Sequence, residues 1–327
     1  MKPVLTWVLR STFLALLLVH SLPASSSATE PLATIGTGNI SGVYYSAGGA
    51  VAKMFNMKRQ EFGGWIANES TEGSLENMDK VLAGDVQFGI SQANFLFQAW
   101  NGVNLYAGQP NHDLRAVLGL YVEGLTLIAA VDAGINTPLD LKGKRVNIGA
   151  PGSSDKETSS LVLQRLGVDP ADVKMTEYPT YEASEKLQAG AIDAYFYTVG
   201  HPNLSVMEAT KGKRKVHIVP FERKFIDETV ATRAYLSAVD IDTAYYERLA
   251  VTGAIPGLGI KSVLFTRADM DEETVYRVVK QVMENLDLFR KQHPVFARLN
   301  GKHMAEGVII PLHPGAERYF REAGIAH

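Results

Sequence analysis

Along the first third of the chain, apolar residues follow two rhythms, and each change of rhythm falls on a glycine. Leu32 to Ile35 has the length of a short strand, and Gly36 to Gly42 reads as a loop. From Tyr44 to Met57, Ala47, Val51 and Met54 or Phe55 fall on one face of a helix. Leu75, Met78, Val81 and Leu82 repeat the helical spacing behind Ser74, a candidate cap. Gly84-Asp85 then turns the chain into the alternating strand Val86 to Ile90, whose end carries Gln92 and Asn94. The plan returns as a strand from Arg145 to Ile148, a loop from Gly149 to Ser154 and a helix through Leu161, Leu163 and Leu166 stopped by Gly167. The segments "KVLAGDVQFGISQAN" (80–94) and "EKLQAGAIDAYFYTVGHPN" (185–203) share one order: helix, glycine, strand, polar tip.

Each half therefore reads as a small α/β unit. Parallel sheets bind ligands at the carboxyl ends of their strands, and both halves place glycines, hydroxyls and amides there. Two half-sites facing each other across a cleft are predicted. Leu120 to Gly124 and the Gly- and Pro-bearing stretch Ala254 to Ile260 are the candidate crossings. Beyond them, a strand at Val263 to Thr266 leads into one long helix burying Val275, Val278, Val279, Val282, Leu286 and Phe289. The expected division is lobe I over 29–122 and 260–327, and lobe II over 123–259.

Lys2 and Arg10 precede the apolar run Phe13 to Val19, which is too short to span a bilayer and ends in the small residues 23–28. Residues 1–28 thus read as a signal peptide cleaved near Ala28, which places the mature protein in the periplasm as a soluble chain. The chain has no cysteine, which closes the lipid-anchor route, a disulfide framework and thiolate metal sites. Of 32 basic and 35 acidic residues, the leader takes two basic ones, and no basic stripe remains to engage nucleic acid.

The glycines of the first loop invite a dinucleotide reading, because backbone amides at a helix N-terminus hold phosphate. Their spacing is Gly36-x-Gly38-x-x-x-Gly42 rather than G-x-G-x-x-G, and neither Glu61 nor Glu69 stands at an evident strand end to bind a ribose. Anion capture survives that loss, with Gly38, Asn39, Ser41, Gly42 and Tyr44 as contacts, and a turn that only reverses the chain is the alternative. Ser153, Ser154, Asp155 and Lys156 repeat the device in the second half, where either serine could instead cap the helix. No arginine lies in either loop, so amides, hydroxyls and helix ends are expected to do the holding. Ser70 and Thr71 offer hydroxyls; Tyr44, Tyr45, Tyr195 and Tyr197 border the cleft; and His201 is the histidine placed near it. Neither a nucleophile with a poised base nor a third ligand for His303 and His313 is evident, so no catalytic residue, metal or cofactor is expected.

Five ordered segments carry a family resemblance: "IGTGNISGVYYSAGGAVAKMFN" (35–56), "ESTEGSLEN" (69–77), "DLKGKRVNIGAPGS" (140–153), "IDAYFYTVGHP" (192–202) and "PLHPGAERYFREAGI" (311–325). The mature chain resembles the TAXI family, the solute-binding proteins of tripartite ATP-independent periplasmic (TRAP) transporters. The resemblance implies a two-lobed type II periplasmic-binding-protein fold with a central ligand cleft. It also implies a monomer that captures a small carboxylate or amino acid, such as glutamate or 2-oxoglutarate, and delivers it to a fused membrane permease driven by an ion gradient. The contacts it implies are the 38–44 loop, Ser70 and Thr71, Gln92 with Asn94, residues 153–156, and Tyr197 with the following turn. The chain departs from the family at Gly152-Ser153-Ser154, where Gly-Ser-Gly is frequent, and at Ile241-Asp242-Thr243-Ala244-Tyr245, where an Ile-Pro turn is frequent. The solute bound by relatives therefore does not transfer to this chain. An exported enzyme or a sensory protein on the same bilobal fold is the alternative.

Overall fold

The computed structural model describes residues 30–326, and the expected leader lies outside them. Ten strands form one mixed sheet: β1 (Ala33–Gly36), β2 (Ile66–Glu69), β3 (Phe88–Gln92), β4 (Leu114–Ala130), β5 (Arg145–Asn147), β6 (Lys174–Thr176), β7 (Ala194–Val199), β8 (Val216–Val219), β9 (Leu236–Asp242) and β10 (Ala254–Arg267). The spatial order is β2-β1-β3-β10-β4-β7-β5-β6, with β8 beside β4 and β9 beside β10. Each end of the sheet is a parallel trio, β2-β1-β3 and β7-β5-β6. The trios are joined through the two longest strands, β4 and β10, which run antiparallel with Gly259 opposite Gly124. Both stretches named as candidate crossings lie in these strands and pair with each other. Register shifts between Lys261 and Val263 and between Leu264 and Phe265 add twist at that seam.

The repeated helix, glycine, strand order is built alike in both halves. Gly84 (φ 84°) and Gly190 (φ 73°) adopt the left-handed conformation that closes each helix before its strand. Four buried apolar clusters cover the sheet. Two pack on the β1–β3 side, around Phe55 and Phe289 and around Phe95 and Phe265; two pack on the β5–β8 side, around Phe196 and Leu163 and around Tyr195 and Ile218.

Three local expectations change. The long C-terminal helix is two, Glu272–Glu284 and Leu286–Arg290, because Asn285 leaves helical geometry (φ −112°, ψ 29°) and its Nδ2 donates to the Gln281 carbonyl at 2.9 Å. Ser74 is the first helical residue after Gly73 and does not cap; its Oγ accepts from the Gln92 amide at 3.1 Å. Glu69 does end a strand, β2, but its carboxylate pairs with Lys80 at 2.9 Å.

Asn77 fastens the β1 side. Its Nδ2 donates to the carbonyls of Thr37 (2.6 Å) and Ile90 (2.8 Å), and its Oδ1 accepts from the Thr71 hydroxyl at 2.7 Å. Gly36 leaves room for it, since a Cβ there would lie 2.6 Å from that Oδ1. Asn77→Ala would remove three buried hydrogen bonds, each worth about 1 kcal/mol. The unfolding free energy from urea titration is expected to fall by about 3 kcal/mol with the m-value unchanged.

Candidate functional site

The first loop leaves β1 at Gly36 and is held from below. The Thr37 amide donates to the Glu69 carbonyl at 3.0 Å, and the Ser70 hydroxyl donates to the Gly38 carbonyl at 2.9 Å. Asn39 shapes the loop's tip by accepting on Oδ1 from the Ser41 amide (3.1 Å) and hydroxyl (2.8 Å), and Gly42 donates to the Asn39 carbonyl at 2.7 Å. Gly42 then starts the helix Val43–Asn56 with no side chain capping it. In the second half, Gly149 (φ 102°) brings the chain against the start of the helix Ser154–Arg165, and a Cβ there would lie 2.8 Å from the Lys156 amide nitrogen. Ser153 caps this helix by accepting from the Lys156 amide at 3.2 Å. That settles the pair of serines in part: Ser153 caps, and Ser154 has no capping role.

Both loops open on one cavity of about 110 Å³; on the same measure a single water needs roughly 10–15 Å³. Of the residues singled out from the sequence, the structure brings Gly38, Asn39, Ser41, Gly42, Tyr44, Gln92, Ser153, Ser154, Asp155 and Tyr197 to its walls. The other five lie elsewhere, each for a visible reason. Ser70 and Thr71 spend their hydroxyls on Gly38 and Asn77, bracing the loop from outside the cavity. Lys156 extends to Glu177 at 2.9 Å. Asn94 opens the helix Ala93–Asn101 and faces a separate apolar recess with Leu125, Val162 and Ile260. His201 lines another groove, its Nε2 sharing a hydrogen bond with the Thr126 hydroxyl at 2.8 Å and its Nδ1 with Tyr246; burial lowers its pKa to about 4, so the ring is neutral. Tyr45 and Tyr195 do not reach the cavity, and Tyr195 is buried in the cluster with Ile218.

Sequence reasoning missed the most unusual wall residue, Glu123. It sits in β4 at 2% exposure. Its Oε2 accepts from Gln92 Nε2 at 3.0 Å, while its Oε1, also buried, has no hydrogen-bond partner among the described residues. Gln92 links onward, its Oε1 accepting from the Thr158 hydroxyl at 3.4 Å, so it bridges β4 and the second-half helix. Burial raises the Glu123 carboxyl to about 8, against the pull of Tyr44 and Gln92. Asp155 is raised to about 6, again by burial, with the Thr198 amide (3.0 Å) and the Thr180 hydroxyl (2.7 Å) opposing. Among the described residues lining the cavity none is Lys, Arg or His. No group of three His, Cys, Asp or Glu side chains that could hold a metal ion occurs among the described residues. A lone acid inside the apolar run "LRAVLGLYVEGLTLIAA" was the available signal, because an unpaired carboxylate is seldom buried without a task.

Comparison with known structures defines the class of fold. The chain is similar to the periplasmic binding protein BugD (14% identity, 90% of this chain and 98% of that chain covered, TM-score 0.56). It is also similar to MatC from Rhodopseudomonas palustris with bound malate (14% identity, 81% and 88% covered, TM-score 0.53). At these identities the similarity establishes a mixed α/β periplasmic-binding-protein-like fold. Residues 35–324 match the NMT1-like family, and the chain belongs to it.

The buried Glu123 makes ligand-free stability depend on pH with a definite sign. Its folded pKa lies above its ordinary value of 4.5, so the contribution is complete below about pH 4.5 and is lost as pH rises toward 8. Glu123→Gln, which cannot ionise, is expected to match the parent near pH 4.5 and to gain stability over it by on the order of 3 kcal/mol at pH 7. Melting curves of both proteins across pH 4–9 check this; parallel curves would exclude it.

Proposed function

We propose that the chain is an extracytoplasmic solute-binding protein of the TAXI type. On this reading it captures a small carboxylate or amino acid and presents it to a TRAP membrane permease. The observation that carries the proposal is one cavity walled by two loops, 38–44 and 150–155, that each join a strand to a helix at opposite ends of the sheet. Each loop brings the N-terminus of a helix of at least 12 residues to the cavity, and at the first of them, where no side chain caps the helix, the positive end of the dipole favours an anionic group. Residues 29–122 with 260–327, and 123–259, act as the two jaws, and rotation about the β4–β10 seam closes them. The five sequence segments shared with the TAXI family support the transporter assignment, and the malate in MatC supports a small organic acid as cargo. No helix among the described residues is long and apolar enough to cross a membrane, which agrees with a separate permease.

An enzyme on this fold needs a reacting group in the cavity, and Glu123 is the feature such a reading could use. Binding without turnover separates the two. Thermal melts with a panel of carboxylates and amino acids are expected to show a rise in melting temperature for a few members, since a ligand binding only the folded state at 100 times its Kd stabilises by about 2.7 kcal/mol. The same solutes should be recovered unchanged and should shrink the scattering radius. No shift across the panel, or conversion of a bound member, would overturn the proposal.

A further inference from the structure

The two walls of the cavity differ in what they ask of a ligand. Glu123 reaches it from β4 with Oε2 held by Gln92 and the Tyr44 hydroxyl beside the carboxyl, while Oε1 meets no described residue in hydrogen-bond geometry. The titratable groups facing it from the packed elements are Tyr44 of the first helix, Tyr121 in its own strand, Tyr197 in β7 and Asp155 of the second-half helix. Burial pushes all three tyrosines above their ordinary value near 10, so they stay neutral; Asp155 and the exposed Glu72 of the same lining add negative charge, and no Lys, Arg or His lines the space among the described residues. A carboxylate buried without a cation costs several kcal/mol, so the empty site keeps the proton on Glu123. What the site lacks is a positive charge.

We propose that Glu123 is the receptor for a cationic nitrogen of the solute, and that it releases its proton to solvent when that nitrogen binds. The inference rests on the solute-binding reading and narrows it. An ammonium group placed at Oε1 supplies both the missing donor and the missing charge. The exchange balances: R–NH3+ plus Glu123–COOH gives the R–NH3+···−OOC ion pair and one H+ in the buffer. The uncapped start of the helix Val43–Asn56 lies on the same cavity and favours an anionic group. The chemistry that meets both walls is a zwitterion, with an ammonium toward Glu123 and a carboxylate toward the first helix. An anion facing Glu123 instead would require the acid to stay protonated as a donor, and its affinity would fall as pH rises. Ammonium binding has the opposite sign, strengthening from pH 5 toward 8.

Titration calorimetry on the whole mature protein distinguishes these cases. The probes are L-glutamate against 2-oxoglutarate, L-aspartate against malate, and L-alanine against lactate, each at pH 7 in phosphate and in Tris. The expected result is that the amino member of at least one pair binds at least tenfold more tightly than its partner, a scale set by one hydrogen bond to a charged group. Its binding heat should differ between the buffers by the amount for about one proton released. Glu123→Gln should lose that proton and most of the preference, while Glu123→Asp keeps the proton release. If in every pair that binds the oxo or hydroxy acid binds as tightly as its amine, or if no proton is released, the role of Glu123 is overturned and the solute-binding reading stands. If no member of either set binds, both fall.

Discussion

The antiparallel pairing of β4 with β10 is the constraint on which the rest of the molecule depends. Strands of 17 and 14 residues are long for a globular protein, and here each serves both ends of the sheet. Where they cross the middle, Gly124 and Gly259 stand opposite each other. A Cβ on Gly259 would lie 2.6 Å from Val122 Cγ1 and 2.8 Å from Ser237 Oγ, so β9 can lie against this point only because the glycine is bare. The parallel trios carry loops with no direct hydrogen-bonded pairing between them. Their separation is set by this seam, as is the place of Tyr121 and Glu123, which β4 delivers to the cavity.

That delivery explains how an acid comes to be buried. Glu123 lies one residue before Gly124, inside a strand whose other neighbours are almost all apolar and covered. The backbone pairing fixes its position, so the side chain cannot escape to water without breaking the seam. Gln92 relieves part of the cost, and because Gln92 ends β3 its own place is fixed by Ser74 and by the Asn77 brace beneath the first loop. The residues that hold the loop and the residue that meets the acid are therefore mechanically one set. Loosening Asn77 would disturb both the amide-rich wall and the partner of Glu123.

Much of this was legible in the chain because it follows local rules. The glycine loops, their helices and the repeated helix, glycine, strand segments depend on periodicity and on φ requirements that sit within a few residues. Ten of the fifteen residues picked as contacts stand on the cavity wall for the same reason. The five that do not reach it show where local reasoning ends. Whether the Thr71 hydroxyl points at a ligand or at Asn77, and whether Lys156 turns inward or toward Glu177, is decided by partners 6 and 21 positions away. Glu123 was hidden differently: within "LYVEGL" the helical and strand patterns are unaffected by one acid, and only the pairing of β4 with β7 and β10 shows that it lies in a central strand paired along both edges. The break at Asn285 was invisible to a count of apolar spacing, since the valines before it and Phe289 after it keep facing the core.

The two loops look alike in sequence but are not equivalent electrically. The first helix begins at Gly42 with no side chain on its leading amides, so its positive end remains available. The second helix is already answered: Ser153 accepts from the Lys156 amide, and Asp155 stands in the first turn, where a carboxylate complements the dipole. Asp155 in turn is occupied on both oxygens, by the Thr198 amide and the Thr180 hydroxyl, which ties the helix start to β7 and to the helix Thr180–Gln188. The first side therefore offers backbone donors beside the exposed Glu72, and the second is internally satisfied, with Glu123 between them carrying a buried oxygen that has no hydrogen-bond partner among the described residues. An anionic group gains more from meeting the first side, and whatever meets Glu123 must donate. Polarity of this kind gives the cavity a direction that the near-symmetry of the fold alone does not.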